Sequence, residues 1–155
     1  MRQRRYAPVL LAATADKDPF VRQAARRSIV AANVEIGELR TADELLKRQS
    51  AALIMRSRAQ TSRIPGLLKD PSETIRQMGI QWIGESRLKV HQSTVKEVMA
   101  AAATRSLFES CLATLERLDT GTRKKSSNEW DGRQYAFDLL EKGTSSHQVQ
   151  RLILR

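Results

Sequence analysis

The sequence has a single cysteine, Cys111, and few aromatic residues, which make up 5% of its 155 positions. One thiol excludes an internal disulfide and a zinc site built from several cysteines. The shortage of aromatic rings, beside a hydrophobic fraction of 41%, favours an aliphatic core, which suits packed helices better than a β-sandwich. No segment approaches the ~20 apolar residues of a membrane span. We therefore expect an all-α protein without a membrane span.

Acidic residues are scarce relative to basic ones: 17 Asp and Glu stand against 27 Lys and Arg, a formal net charge of +10. The excess lies in residues 1–63, where 13 basic side chains accompany 6 acidic ones. A basic surface attracts nucleic acid, anionic lipid or an acidic protein, but charge alone does not select among these partners.

Residues suited to catalysis or metal binding are few and scattered. The two histidines, His91 and His147, lie far apart in the sequence, and no His, Cys or carboxylate residues show metal-ligand spacing. Cys111 lies in a run with the spacing of a buried helix face, where no base is expected to activate it as a nucleophile. The glycines form no phosphate-binding loop. The sequence therefore predicts neither an enzyme nor a cofactor site.

What the sequence does contain is an internal repeat. An Arg-Gln pair opens similar segments at Arg22, Arg48 and Arg76, at intervals of 26 (48 − 22) and 28 (76 − 48), and a weaker copy begins at Phe108. In these copies apolar or small residues recur at helical spacing, so each copy is predicted to bury one face of a helix. The predicted inward residues are Val21, Ala24, Ala25 and Ile29; Ala51; Ile75, Met78, Gly79, Trp82 and Ile83; and Leu107, Cys111, Leu115 and Leu118.

Helix-start signals agree with these copies. Asp18 and Asp70 are predicted N-caps, each followed by a proline at the first helical position. Residues 41–44 (Thr-Ala-Asp-Glu) and 94–97 (Thr-Val-Lys-Glu) match the capping-box pattern and predict two further starts.

A shorter apolar segment precedes each copy and is predicted to form its partner helix. These segments are Tyr6 to Ala15, Val34 to Leu39, Ile64 to Leu68 and Val95 to Ala103. Antiparallel pairs that recur about every 30 residues, none able to bury its own face, are typical of an α-solenoid. We expect about four such pairs within residues 1–118.

Two segments carry a recognisable family pattern: Asp-x-Asp-Pro-x-Val-Arg at 16–22 and Asp-Pro-x-x-x-Ile-Arg at 70–76. At these residues the chain resembles HEAT repeats, especially the short bacterial kind also found in phycobilisome lyase subunits. The resemblance implies a right-handed α-solenoid and carries little information about function.

A narrower resemblance involves residues 18–29, 77–88 and 106–119. In this order they look like the helical-repeat segment of large exported bacterial proteins that join a dehydrogenase-like propeller, HEAT repeats and a C-x-x-C-H haem module. This chain has no C-x-x-C-H, so neither haem binding nor oxidoreductase activity carries over. The resemblance implies a spacer or docking segment, periplasmic if part of such a protein and cytoplasmic if free-standing. Both ends lack solenoid caps, so an adjacent domain or another chain is expected to cover them.

The N-terminus allows an alternative interpretation. Arg2, Arg4 and Arg5, followed by an apolar run to Ala15, also match a short signal peptide with a cleavage site at residues 13–15. We favour the first helix of the first pair, because the segment leads directly into the Asp-Pro turn.

The C-terminal part departs from the repeat. Residues 119–131 are polar and aperiodic and predict a linker. Two C-terminal helices are predicted within 132–155. The first runs from Arg133 to Lys142 with Tyr135, Leu139 and, as a further candidate, Phe137 facing inward, and it ends at Gly143; Ser145 or Ser146 caps the second. Trp130 either folds over the last repeat or forms an exposed anchor for a partner.

The arginines fall into two sets. The resemblance to HEAT proteins implies that the repeated arginines reach turn aspartates and form a structural ladder. The ladder residues would be Asp16, Arg22, Asp43, Arg48, Asp70 and Arg76. The arginines that do not repeat are candidates for a partner surface, although they also fit an ordinary solvated face. They are Arg26, Arg27, Arg56, Arg58 and Arg63.

These observations favour a non-catalytic scaffold that binds a protein partner or adjacent domains. The alternative is a basic solenoid that binds nucleic acid through arginines on its concave surface. That alternative lacks aromatic residues for base stacking, since the few aromatic residues are mostly predicted to be core.

Overall fold

The computed structural model describes residues 5–120 and 133–141, and throughout these residues the regular structure is helical, with no strand. The predicted all-α class is therefore confirmed. The α-helices are α1 (Ala7–Ala13), α2 (Pro19–Ala31), α3 (Gly37–Thr41), α4 (Leu45–Ser57), α5 (Ile64–Leu68), α6 (Glu73–Glu85), α7 (Gln92–Ala100), α8 (Arg105–Thr120) and α9 (Arg133–Glu141). Short 3₁₀ turns, Thr61–Arg63 and Lys89–His91, lead into α5 and α7.

The chain divides into two compact units, Met1–Ile75 and Arg76–Arg155. In the first unit α1 packs against α2, α3 packs against α4, and α2 also packs against α4. Its core is aliphatic, as the composition predicts. The fully buried large side chains include Ile29, Leu39, Ile54, Ile64 and Ile75.

In the second unit α7 packs against α8. The fully buried large side chains include Ile80, Ile83, Val95, Met99, Leu107, Leu115 and Leu118. Two polar contacts link α6 to α8: the buried Thr114 hydroxyl donates to the Ile80 carbonyl at 3.2 Å, and the Gln77 amide donates to Ser106 Oγ at 2.8 Å.

Helix α9 is joined to α7 and α8 through Tyr135. Its hydroxyl donates to the carboxylate of Asp119, which also accepts a 2.8 Å hydrogen bond from the Gln92 amide. The ammonium of Lys96 lies 4.7 Å from the centre of the tyrosine ring, a cation–π distance. Polar contacts thus hold α9, whereas Phe137, a candidate inward residue, is 55% exposed. The Leu139 side chain lies outside the described residues.

The helix starts agree only partly with the sequence signals. Asp18 is the N-cap of α2, accepts from the Phe20 N–H at 2.8 Å and is followed by a proline at the first position, as predicted. Asp70 accepts from the Ser72 N–H at 2.7 Å, but α6 begins at Glu73, so the proline at 71 precedes the helix.

Both predicted capping boxes are wrong. Thr41 ends α3, and α4 has Glu44 as its N-cap with no side-chain hydrogen bond. Thr94 lies inside α7, whose N-cap is His91. Thr41 thus belongs to the preceding helix, and Thr94 lies inside the helix it is predicted to cap because α7 begins two residues earlier, so neither threonine can cap the predicted start.

Three helix ends share one backbone motif. Each has a non-glycine residue with positive φ just past the helix: Asn33 (48°), Ala59 (52°) and Arg87 (51°). The next residue donates to the carbonyl five positions back: Val34 to Ile29 (3.1 Å), Gln60 to Met55 (3.0 Å) and Leu88 to Ile83 (3.0 Å). These are Schellman motifs, which satisfy carbonyls that a helix end otherwise leaves unpaired.

The predicted inward faces are largely correct. Ala25, Ala51, Gly79 and Cys111, the small residues expected at close helix contacts, are all buried. Val21 and Ala24 are exposed, so the first copy buries a narrower face than expected. Among the described helices, none is long and apolar enough to cross a membrane.

Candidate binding surfaces of the first unit

A groove lies between α2 and α4, and we call it the α2–α4 groove. Its volume is about 500 Å³ and its lining residues are Gln23, Arg26, Arg27 and Val30 of α2 and Leu53, Arg56 and Ser57 of α4. These positions follow the i, i+3, i+4 spacing of one helix face on each helix. Three of the five predicted partner-surface arginines therefore meet in one place, because α2 packs against α4.

The α2–α4 groove is electropositive. None of its lining residues, which all fall within the described residues 5–120, is acidic. Arg26 is half-buried, and its Nη1 lies 3.5 Å from Ser50 Oγ, a weak hydrogen bond. Burial, and then the charge of Arg22, lower the pKa of Arg26. The negative charge of an anion in the groove would offset both effects, because it favours the charged guanidinium.

Apolar surface accompanies these charges. Val30 is half-buried and Leu53 is 37% exposed, and both line the same groove. The arrangement can receive a ligand that offers carboxylates or phosphates together with an apolar group.

Arg63 lies elsewhere in the first unit. It lines a second cavity together with Arg40 and Arg48, and none of the residues of this cavity lines the α2–α4 groove. The two surfaces are therefore distinct.

Arg58, another of the predicted partner-surface arginines, makes structural contacts in the first unit. Its Nη2 donates 2.9 Å hydrogen bonds to the carbonyls of Ile29 and Val34, at the end of α2 and just beyond it. Its Nε is buried without a hydrogen-bond partner among the described residues. The guanidinium therefore fastens the end of α4 to the end of α2 through Nη2.

Two of the repeated arginines, Arg22 and Arg48, bind main-chain carbonyls. Arg22 Nη1 donates to the carbonyls of Asp16 (2.7 Å) and Lys17 (3.0 Å). Arg48 Nη1 makes the same two contacts, at positions i−6 and i−5, with Ala42 (2.8 Å) and Asp43 (2.7 Å). For Asp16 and Asp43, these contacts thus use the backbone and not the carboxylate.

One arginine also reaches the turn aspartate that follows its own helix. Arg48 Nε lies 3.1 Å from Asp70 Oδ2, and both side chains are mostly buried, at 16% and 12% exposure. The Asp16 carboxylate instead accepts from the Asp18 N–H at 2.8 Å. Arg76 lies half-buried on α6.

Part of the predicted C-terminal site falls outside the described residues. Trp130, His147 and most of the predicted linker are in this category. Asp119 and Thr120, the first two residues of the predicted linker, form the end of α8.

The described residues include one thiol and several side chains of the types that bind metal ions. Cys111 is fully buried, and burial raises the pKa of its thiol to about 12. No three His, Cys, Asp or Glu side chains in residues 5–120 and 133–141 come together as metal ligands. Comparisons with protein-family models, with curated proteins and with solved structures found no match.

Proposed function

We propose that this protein is a non-catalytic scaffold of HEAT-like helix pairs in a right-handed solenoid, which binds an acidic segment of a partner protein in the α2–α4 groove. The repeat part of this proposal draws on the regularity of three helices. Helices α2, α4 and α6 are each 13 residues long and begin at residues 19, 45 and 73, the same intervals of 26 and 28 as the Arg-Gln pairs. The Schellman motifs end these helices at the same intervals.

The observation that carries the binding proposal is the combination of arginines and apolar side chains in one groove. Arginine forms bidentate, charge-assisted hydrogen bonds with carboxylates. Val30 and Leu53 offer apolar contact beside these charges. A peptide with acidic residues next to a leucine or a similar side chain satisfies both parts of the surface.

Nucleic acid is the second candidate, and the charge of +10 favours it. The groove itself is less suited to a strand of nucleic acid, since none of its lining residues is aromatic and bases cannot stack on aromatic rings there. Phosphate contacts would then have to supply nearly all of the affinity, and binding would be strongly salt-dependent.

A binding assay with matched probes tests the proposal. The probes are a fluorescent peptide of alternating Glu and Leu, the same peptide with Gln for Glu, and a duplex DNA. We expect the acidic peptide to bind about tenfold or more tightly than its neutral counterpart. Replacing Arg26 and Arg27 with Gln should remove this preference. Replacing Lys17 and Lys69, both exposed and outside the groove, with Gln makes the same change in net charge and should preserve it.

The DNA probe separates the two candidates. Each phosphate contact adds about 0.9 to the slope of log affinity against log salt between about 50 and about 200 mM. Submicromolar DNA binding with a slope of about four or more, abolished by the same arginine substitutions, would replace the peptide proposal. Equal loss of peptide binding in the lysine control would show that net charge, and not the groove, attracts the peptide.

A further inference from the structure

The second cavity of the first unit lies where α3, α4 and α5 meet, and we call it the α3–α5 pocket. Its volume is about 350 Å³, at the lower end of the range of small-molecule sites. Its lining includes Arg40 at the end of α3 and Arg63 just before α5. The pocket is thus small, and its lining comes from α3, α4, α5 and, through Ile75, the first turn of α6.

The charge of the pocket comes from these two arginines. Arg48, the third arginine of the lining, is already bound to Asp70 and to two carbonyls. Arg40 and Arg63 are exposed, and within the described part of the chain neither makes an ion pair or a hydrogen bond through its side chain. Two guanidinium groups therefore remain to bind an anion.

The rest of the pocket lining is apolar where it is buried and includes hydroxyl groups where it is exposed. Ala51, Met55 and Leu67 line it and are almost fully buried, at 1%, 3% and 7% exposure. The hydroxyl-bearing residues Thr41 and Ser62 also line it and are exposed. A ligand that fits this lining carries one anionic group and a short hydrocarbon body.

Gly66 borders the open space of the pocket. It lies within α5 and lines the pocket, and a Cβ added there would meet no heavy atom within 4 Å. Packing therefore does not require glycine at this position, although glycine inside a helix costs about 1 kcal/mol relative to alanine. A bulky side chain at residue 66 would add volume at an exposed part of the pocket lining.

We propose that the α3–α5 pocket binds a small organic anion, with its carboxylate or phosphate group between Arg40 and Arg63 and its hydrocarbon chain on the floor of Ala51, Met55 and Leu67. Arginine recognises both anionic groups through the same paired N–H donors. This inference goes beyond the peptide site, because the two surfaces share no lining residue, so either can fail without the other.

Nuclear magnetic resonance titrations of the full chain with octanoate, octyl phosphate and 1-octanol test the proposal. We expect saturable shifts of the backbone amides of Thr41, Ser62 and Gly66 with the two anions, and binding of octanol at least about tenfold weaker. The anion that binds with the higher affinity, octanoate or octyl phosphate, identifies the preferred head group. Octanol that binds as tightly as octanoate, or no saturable shift up to about 5 mM ligand, would overturn the proposal.

Two variants locate the site. Replacing Arg40 and Arg63 with Gln should reduce the affinity for octanoate to that for octanol, and Gly66→Phe should abolish binding of all three ligands. Replacing Arg26 and Arg27 with Gln makes an equal change in net charge in the α2–α4 groove and should leave the titration unchanged. Equal loss of binding in this control would refute the location, because it would show attraction by net charge alone.

Discussion

Thr114 lies so close to Gly84 that a Cβ on the glycine would stand 3.0 Å from the threonine Oγ1 and 3.4 Å from its Cγ2. Both residues are buried, and the same hydroxyl donates to the Ile80 carbonyl one turn earlier in α6. The close contact between α6 and α8 in the second unit therefore depends on residue 84 being a glycine, which has no side chain.

We accordingly expect Gly84→Ala to lower the free energy of unfolding by about 1–3 kcal/mol, because the added methyl group overpacks this contact. Gly66→Ala is the matched control, since that glycine is also helical but its Cβ would meet open space; it should raise the free energy of unfolding by ~0.5–1 kcal/mol. Urea denaturation measures both changes. A stabilising effect of Gly84→Ala would mean that Thr114 can move aside without cost.

Arg58 is expected to be important for stability. Its substitution by Ala removes two hydrogen bonds from a charged donor to the carbonyls of Ile29 and Val34, at a cost of about 1.5–3 kcal/mol. Arg27→Ala, at an exposed position, should change stability by less than about 0.5 kcal/mol. Chemical denaturation of the two variants side by side checks this difference, and equal midpoints would contradict the structural role of Arg58.

The positive-φ residues at two helix ends offer a route to a more stable protein. Ala59 and Arg87 adopt a left-handed conformation that costs a residue with a Cβ about 1–2 kcal/mol, part of which glycine recovers. We expect Ala59→Gly and Arg87→Gly each to raise the free energy of unfolding by ~0.5–1 kcal/mol. Asn33→Gly should change it less, because asparagine tolerates this conformation. A lower melting temperature in either of the first two variants would contradict the motif.

Because of Tyr135, the stability of the second unit should depend on pH in the alkaline range. Burial, and then the hydrogen bond to Asp119, raise the pKa of Tyr135 from 10.0 to about 12. The folded state thus favours the neutral hydroxyl. The contribution of the neutral Tyr135 hydroxyl to the stability of the folded state is complete below pH about 10 and is lost as the pH rises through about 12. Thermal unfolding across this range should show a steeper loss of stability in the native sequence than in Tyr135→Phe.

An absorbance titration supplies an independent check on Tyr135. The chain has two tyrosines, and Tyr6 is 62% exposed. In a Tyr6→Phe background, the one remaining phenol should ionise at about pH 12. Ionisation near its ordinary value of 10.0 would contradict the contact with Asp119.

Much of the helical arrangement could be predicted from residue spacing, and the reason is visible in particular residues. Ile29, Leu107 and Leu115 recur at the helical period and are buried, because one face of each helix meets another helix. Val21 has the same apolar spacing but is 38% exposed. Periodicity identifies a face, whereas the width of the buried strip depends on which neighbours are present.

The parts that could not be predicted depend on contacts between distant segments or on the backbone. Nothing in the local sequence of Arg58 distinguishes it from Arg56. Arg58 binds the Ile29 carbonyl only because α4 packs close to the end of α2. The helix ends at Ala59 and Arg87 lack the glycine that usually marks such a turn. The α2–α4 groove likewise exists only because two helix faces, each with arginines, lie side by side.

The Schellman motifs have a consequence for how new binding properties can arise. Residues 34–59 begin just after one left-handed residue and end on the next, and this stretch of 26 residues equals the interval between the first two Arg-Gln pairs. Main-chain hydrogen bonds close both ends of this stretch. Side chains that face the groove can therefore be exchanged without moving the points where the helices stop. The side chains of the groove and the spacing of the helix ends are therefore separately adjustable in protein engineering.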